Sequence, residues 1–301
     1  MGAAKFLRGL VRRIDPRDLA VVVNTGDDEH FYGLHVSPDI DTVIYTLAGV
    51  INREHGWGLE NESFNALDAL GLLYGKPWFN LGDRDLATHL YRTERMHSGA
   101  RPTDVTAELA ARFAVKSRIL PMSDDRVHTF VKLKGREAIP FQEYFVRGRA
   151  RGAVEAIELR GAEKARPTRE VLDSISRAAA IIIAPSNPFV SIGPILALSG
   201  MRKALTAVRS RVAAISPIVG GKTIKGPADK MMRGLGHQVS PLGIARLYRD
   251  IAGLMIIDVI DHRYLEPIRA LGINAIATDT VMTTPDHAAR LADVVTRALE
   301  V

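Results

Sequence analysis

Ile181-Ile182-Ile183-Ala184-Pro185-Ser186-Asn187-Pro188, continuing as Phe189-Val190-Ser191-Ile192-Gly193-Pro194, is the stretch on which the fold turns. Consecutive isoleucines leave no face for water and read as a strand buried on both sides, as in parallel sheets. The residues after Ile183 are turn formers with few bulky side chains. An ordinary strand-to-helix connection is the bland reading, but two prolines with Ser186, Asn187, Ser191 and Gly193 exceed what a short loop requires. The functional reading is a phosphate or nucleotide loop at the carboxyl edge of an open α/β sheet, where helix N-termini offer free N–H groups to anions.

The same grammar recurs outward from this stretch. Ala180–Ala184, Val212–Ser216, Leu254–Asp258 and Ile273–Ala277 read as buried strands. Between them Met201–Arg209, Ala228–Leu235, Pro241–Ile251, Tyr264–Leu271 and Pro285–Leu299 carry the apolar spacing of helices laid on a sheet. The alternation predicts an α/β fold with a Rossmann-like, doubly wound and mostly parallel sheet. Ala3–Ile14 reads as a helix and Leu19–Val23 as a strand, so the first element is a helix without a preceding strand. From about 56 to 118 the pattern is mainly helical and broken at Gly75–Trp78, an expected insertion or subdomain in a single domain spanning 1–301. Ile119–Leu120, Thr129–Leu133 and Val154–Leu159 read as further strands, the last two as an antiparallel pair.

Composition narrows the chemistry. The 301 residues contain no cysteine, which removes disulfides, thiolate metal sites and cysteine nucleophiles and leaves oxygen and imidazole groups. No apolar run approaches the ~18 residues of a membrane span, and the N-terminus lacks a signal-peptide core, so the expectation is a cytoplasmic protein without membrane contact. Lys and Arg total 40 against 34 acids, a net charge of +6, which suits an anionic ligand. The basic residues are scattered among acids and form no aromatic-interleaved stripe, so nucleic acid is not the expected partner.

Two further strings place polar groups directly after apolar ones. In Val21-Val22-Val23-Asn24-Thr25-Gly26-Asp27-Asp28 a strand runs into an amide, a hydroxyl and two carboxylates, which is either a capped turn or a ligand edge. In Ser37-Pro38-Asp39-Ile40-Asp41-Thr42 two acids precede an apolar helix. They are either first-turn acids with a cap, or oxygen ligands for Mg²⁺ on a phosphorylated substrate. Leu120–Asp125, Ser216–Gly221, Gly226–Lys230 and Asp279-Thr280 are weaker examples. Gly-x-Ser-x-Gly, HExxH and a complete phosphate loop are absent from the sequence, since Gly220-Gly221-Lys222-Thr223 lacks the required first glycine. Trp57 and Trp78 are either packing residues or walls of an aromatic ligand pocket.

Taken together, VVVNTGDD, SPDIDTVIYTLAG, WGLENESF, LGDRDLATH, LPMSDD, APSNPFVSIGPILAL, ISPIVGGKTIKGPADKMM and ATDTVMTT resemble the 2-phospho-L-lactate transferases, CofD in archaea and FbiA in actinobacteria. The resemblance covers essentially the whole chain. It implies transfer of a 2-phospholactyl or enolpyruvyl phosphate group from a guanosine-diphosphate-linked donor to the deazaflavin Fo, with release of GMP, in coenzyme F420 biosynthesis. Mg²⁺ is the implied metal, the two small molecules the implied partners, and a homodimer a family-level expectation. Residue by residue, Asp39 and Asp41 are implied as catalytic groups and metal ligands, with Asn24, Thr25 and Asp27 beside them. Asn80, Asp83 and Arg84 fall on the Fo side, and Asp124 is a further neighbour. Ser186, Asn187, Gly193, Ser216 and Gly226 fall on the nucleotide side. The resemblance carries two more expectations: Asp41→Ala removes turnover without disturbing the fold, and the family's first strand with its glycine-rich turn is missing, leaving an apolar groove and a natural start upstream of Met1. The rival class is the CofD-like sugar-nucleotide-binding regulatory proteins without transferase activity, whose pattern lacks NTGDD and SPDIDT together.

Overall fold

The computed structural model describes residues 2–75 and 77–301; Met1 and Lys76, and with them the expectation about the start, lie outside the described residues. The chain runs through α1 (Gly2–Leu10), β1 (Ala20–Val23), β2 (Glu29–Phe31), β3 (Leu34–Val36), α2 (Pro38–Leu47), α3 (Asn65–Tyr74), α4 (Asp83–His97), α5 (Pro102–Arg112) and β4 (Arg118–Pro121). Next comes a small antiparallel sheet of β5 (His128–Leu133), β6 (Ala138–Pro140) and β7 (Val154–Arg160). The remainder is α6 (Arg169–Arg177), β8 (Ile181–Ile183), α7 (Gly193–Ala197), α8 (Met201–Ala207), β9 (Val212–Ile215), β10 (Ile218–Val219), β11 (Lys222–Thr223), α9 (Ala228–Gly234), α10 (Pro241–Leu247), β12 (Leu254–Asp258), α11 (Leu265–Arg269), β13 (Asn274–Thr278) and α12 (Pro285–Ala298).

β13, β12, β9 and β8 form one parallel sheet in that order. Its strands alternate between two cores, which is what winding on both faces requires. Val212 and Ala214 of β9 and Met255 and Ile257 of β12 face a layer containing Val171, Met201, Ile244 and Ile268. Ala213, Ile215, Leu254 and Ile256 face the opposite layer, with Phe6, Ile44, Leu109 and Leu291. Full burial of a side chain such as Ile256 contributes about 1.5–3 kcal/mol. α1 and α12 approach so closely that a Cβ at Gly9 would run into the Ala288 carbonyl, so only glycine fits there. α5, which falls within the expected insertion, packs into this second layer through Val105 and Leu109. α3 buries only Leu67 and leaves Leu72 and Leu73 exposed.

β1 and β4 form a separate parallel pair. Between β1 and β8 runs a cavity of about 790 Å³ lined by Val21, Val22, Ile181 and Ile182 together with Phe6 and Leu7. Among the described residues β1 pairs only with β4 and β8 only with β9, so each has one edge without strand partners. The expected apolar groove is this slot. It also explains why Ile181 and Ile182 are half-buried rather than sealed on both faces, whereas every residue of β12 is buried.

The open edges predict a gradient of amide protection. By hydrogen exchange, Val21–Val23 and Ile181–Ile183 exchange faster than Met255–Ile257, whose strand is bonded on both sides. Equal protection of the three strands would mean that the slot is closed in solution.

Candidate active site at the carboxyl edge of the sheet

A cleft of about 410 Å³ opens where the strands end. Asp27, Asp39, Asp41, Ser186, Asn187, Ser216 and Gly226, named from sequence, all line it, and so does Asn80. Residues far apart in the chain thus share one cavity: the acidic turn after β1, the first turn of α2 and the loop after β8.

Asn24 makes that convergence. It is 3% exposed, and its Nδ2 donates to Asp39 Oδ2 at 3.0 Å and to the Val190 carbonyl at 3.2 Å. Its Oδ1 accepts the Gly26 N–H at 2.8 Å, so one amide fixes the turn, the carboxylate and the loop after β8. Gly26 is required here because a Cβ would meet Thr129 Oγ1 at 2.7 Å and Asn24 Oδ1 at 3.0 Å.

The four acids of NTGDD and SPDIDT divide into two kinds. Asp28 Oδ2 accepts from Ser37 Oγ at 2.7 Å and lies 3.0 Å from His35 Nε2. Asp41 accepts from both terminal nitrogens of Arg92, which is itself buried. Asp41 is thus paired through both oxygens, whereas Asp28 Oδ1, like Asp27 Oδ1, has no hydrogen-bond partner among the described residues. Asp27 is 6% exposed and its Oδ1 has no hydrogen-bond partner among the described residues, nor does the neighbouring Thr25 Oγ1. Burial, then the nearby Asp39 carboxylate, pushes Asp27 well above the usual carboxylate range. Asp39, in the first turn of α2, is also raised, chiefly by burial. Two carboxylates that burial and mutual repulsion disfavour as anions, one with an unpaired oxygen, suit a hard divalent cation.

A second cluster lies beside them. Asp41, Asp85 and His89 bring ligand-type atoms within 4.8 Å of one another. Arg92 Nη1 lies 3.2 Å from His89 Nδ1 and can only donate, so Nδ1 accepts and the imidazole proton sits on Nε2, 3.5 Å from Asp85 Oδ2. Tyr45 donates its hydroxyl proton to Asp85 at 2.7 Å. Arg92 already donates to both Asp41 oxygens, so a cation at Asp41 would have to share or displace the guanidinium. The variant Asp41→Ala would leave the buried Arg92 without its carboxylate partner.

Other sequence-named residues serve the framework. Asp83 accepts from Asn65 N at 3.1 Å, Ala66 N at 2.9 Å and Ser63 Oγ at 2.7 Å, holding the start of α3. Arg84 donates to the Glu60 carbonyl at 2.8 Å. Asp124 accepts from Thr103 N and Oγ1, at 2.8 and 2.7 Å, at the start of α5. None of these three lines the cleft, nor do Thr25 and Gly193, whose roles are loop geometry and the start of α7. Asn187 shapes its loop through Oδ1, which accepts the Phe189 N–H at 3.0 Å. Ser216 Oγ accepts from Ile218 N at 3.1 Å and its own N–H donates to Ile256 O at 2.9 Å. Trp57 lines the cleft, while Trp78 packs edge-on against Phe31.

Sequence reading missed Phe79, Phe141 and Phe145, which give the cleft an aromatic wall, and His89 and Arg92 behind Asp41. Phe79 stacks on Phe31 with centroids 4.1 Å apart. The i, i+4 spacing of Asp85 and His89 in LGDRDLATH was the available signal.

These contacts have two measurable outcomes. Arg92→Met leaves Asp41 buried without a countercharge and costs about 3–5 kcal/mol in urea unfolding, and adding Asp41→Asn recovers part of it; an additive double mutant would contradict the pairing. Asp83 is held down to about 2 by its hydrogen bonds to Ala66, Ser63 and Asn65. A carboxyl depressed on folding stabilises above its unfolded value of ~3.9 and loses that contribution as pH falls toward about 2. Exchange protection of α3 therefore falls over that window, and Asp83→Ala abolishes the dependence; an unchanged profile would contradict the role.

The family described as 2-phospho-L-lactate transferase CofD matches residues 1–295. A phosphoenolpyruvate transferase of Streptomyces griseus is 43% identical over 299 residues, covering 97% of this chain and 93% of that protein. A 2-phospho-L-lactate transferase of Methanosarcina mazei is 37% identical over 297 residues, covering 99% of this chain and 97% of its own. In fold, a UPF0052-family protein from Bacillus halodurans superposes with a TM-score of 0.67 at 15% identity, covering 98% of this chain and 95% of that one. No helix among the described residues is long and apolar enough to cross a membrane. The chain belongs to the 2-phospho-L-lactate transferase CofD family and is a transferase acting on phosphate-bearing groups.

Proposed function

We propose that the chain transfers a phospholactyl-type group from a guanosine-diphosphate-linked donor to the deazaflavin Fo, releasing GMP and forming coenzyme F420-0 or its dehydro form. The observation that carries this reading is the tie between Asn24, Asp39 and Val190, which puts an acidic pair beside a neutral amide-and-hydroxyl loop in one cleft. The identity to a relative named phosphoenolpyruvate transferase, 43% against 37% to one named 2-phospho-L-lactate transferase, favours the enolpyruvyl donor.

On this reading the loop at Ser186–Ser191, with Ser216 and Gly226, holds the nucleotide. The flat acceptor lies along Phe79 and Trp57. Its ribityl hydroxyl oxygen forms a new bond to the phosphorus bearing the acyl group, the bond from that phosphorus to the bridging oxygen breaks, and GMP leaves with that oxygen. Asp39, oriented by Asn24 and raised in pKa by burial, takes the hydroxyl proton. Asp27 and Asp39 would hold Mg²⁺, which when bound offsets charge on the diphosphate. Asn24 and Gly26 keep the carboxylates aimed while the bond changes occur.

Incubation with Fo, each guanosine-diphosphate-linked donor and Mg²⁺ yields GMP and a product of the corresponding mass, and chelation stops it. Asp39→Asn lowers kcat by about 100-fold or more with an unchanged circular dichroism spectrum. Folded protein that binds UDP-sugars and neither binds Fo nor releases GMP would overturn the reading in favour of a nucleotide-binding regulator.

A further inference from the structure

The nucleotide side of the cleft is built from uncharged groups, Ser186, Asn187, Ser191 and Ser216, while the acceptor side carries Asp27 and Asp39. A nucleoside diphosphate entering such a cleft meets a surplus of acid. Among the described residues the lysines and arginines that line it are Lys5 and Lys225 alone. Lys5 is turned to the Met282 carbonyl, to which its Nζ donates at 3.3 Å. Lys225 is exposed and, among the described residues, has no carboxylate within ion-pairing distance.

The chain around Lys225 is anchored on both sides. Gly220 N donates to Asp261 Oδ2 at 2.8 Å, and Thr223 Oγ1 accepts the Asp229 N–H at 2.8 Å. Pro227 and Ala228 are buried. Between Thr223 and Pro227, Ile224, Lys225 and Gly226 stand in solvent, and Ile224 is 61% exposed although it lines the cleft. Gly226 has a φ of +91° and no atom within 4 Å of where a Cβ would sit, so the bend is shaped by backbone and not by packing. An unpaired ammonium and an unburied isoleucine, on a short bend rooted in the core, is the arrangement expected of a group waiting for an anionic partner.

We propose that Lys225 anchors the donor, its ammonium binding the phosphates of the nucleoside diphosphate. The inference rests on the proposed reading of the cleft as a nucleotide-donor site and adds the residue that supplies the ground-state charge for it. A single lysine serves as a point charge on a flexible stem, so its contribution is to affinity and not to alignment of the reacting atoms.

Titration of GDP into the full-length protein, wild type and Lys225→Gln, tests it directly. The variant weakens GDP by about tenfold to a hundredfold. Its GDP affinity also falls less steeply with added salt, because one charge contact is gone. In turnover the donor KM rises while kcat at saturating donor and the KM for the acceptor stay within about twofold, and Lys225→Arg restores most of the affinity. Lys222→Gln, on the same hairpin but outside the cleft lining, behaves as wild type. GDP binding by Lys225→Gln equal to wild type, or an equal loss in Lys222→Gln, overturns the assignment while leaving the transferase reading intact. Wild-type protein that binds no nucleoside diphosphate overturns both.

Discussion

One amide group holds the functional geometry together. β1 and β8 have no strand pairing with each other, and the slot between them is apolar and open. Asn24 spans the end of that slot, with one hydrogen on Asp39 and the other on the Val190 carbonyl. Its own carbonyl is taken by Gly26, so every polar atom of a nearly inaccessible side chain has a partner. No residue of similar size offers two donors and an acceptor in a plane, and an aspartate at this position would add a further carboxylate to an already acidic corner.

The electrostatics of that corner sort the acids by what surrounds them. Asp28 Oδ2 is met by Ser37 and His35, and the Asp41 charge is compensated by Arg92 inside the protein. Asp27 and Asp39 carry no ion pair among the described residues, and burial raises both. Buried groups left in that condition cost stability, and they persist where a ligand supplies the missing charge. The Arg92–His89–Asp85–Tyr45 chain beside Asp41 joins α2 to α4 by hydrogen bonds, and within it His89 Nε2 has no hydrogen-bond partner among the described residues.

Much of the fold was legible because apolar runs and helical spacing are local signals. Ile181–Ile183, Val212–Ile215, Leu254–Asp258 and Asn274–Thr278 lie within a residue or so of where periodicity put them. Local signals do not report which edge of a strand is covered, so the half-burial of Ile181 and Ile182 was not readable from three isoleucines. The same limit applied to the site. Acid-rich turns identify candidate carboxylates, but Asp41 and Asp27 look alike in sequence, and only the reach of Arg92 from α4, 51 residues away, separates them. Asp83 and Asp124 were drawn into the candidate set by their motifs, and their carboxylates are spent on the starts of α3 and α5. The aromatic wall was missed because Phe79, Phe141 and Phe145 carry no spacing that marks a pocket.

If the acids left uncompensated by the protein are the ones that receive the cation, the ion can be located directly. Crystals grown with GDP and Mn²⁺, measured for anomalous scattering, make that test. The expected result is a peak between Asp27 and Asp39 with Arg92 still on Asp41. A peak among Asp41, Asp85 and His89, with the guanidinium displaced, would contradict it.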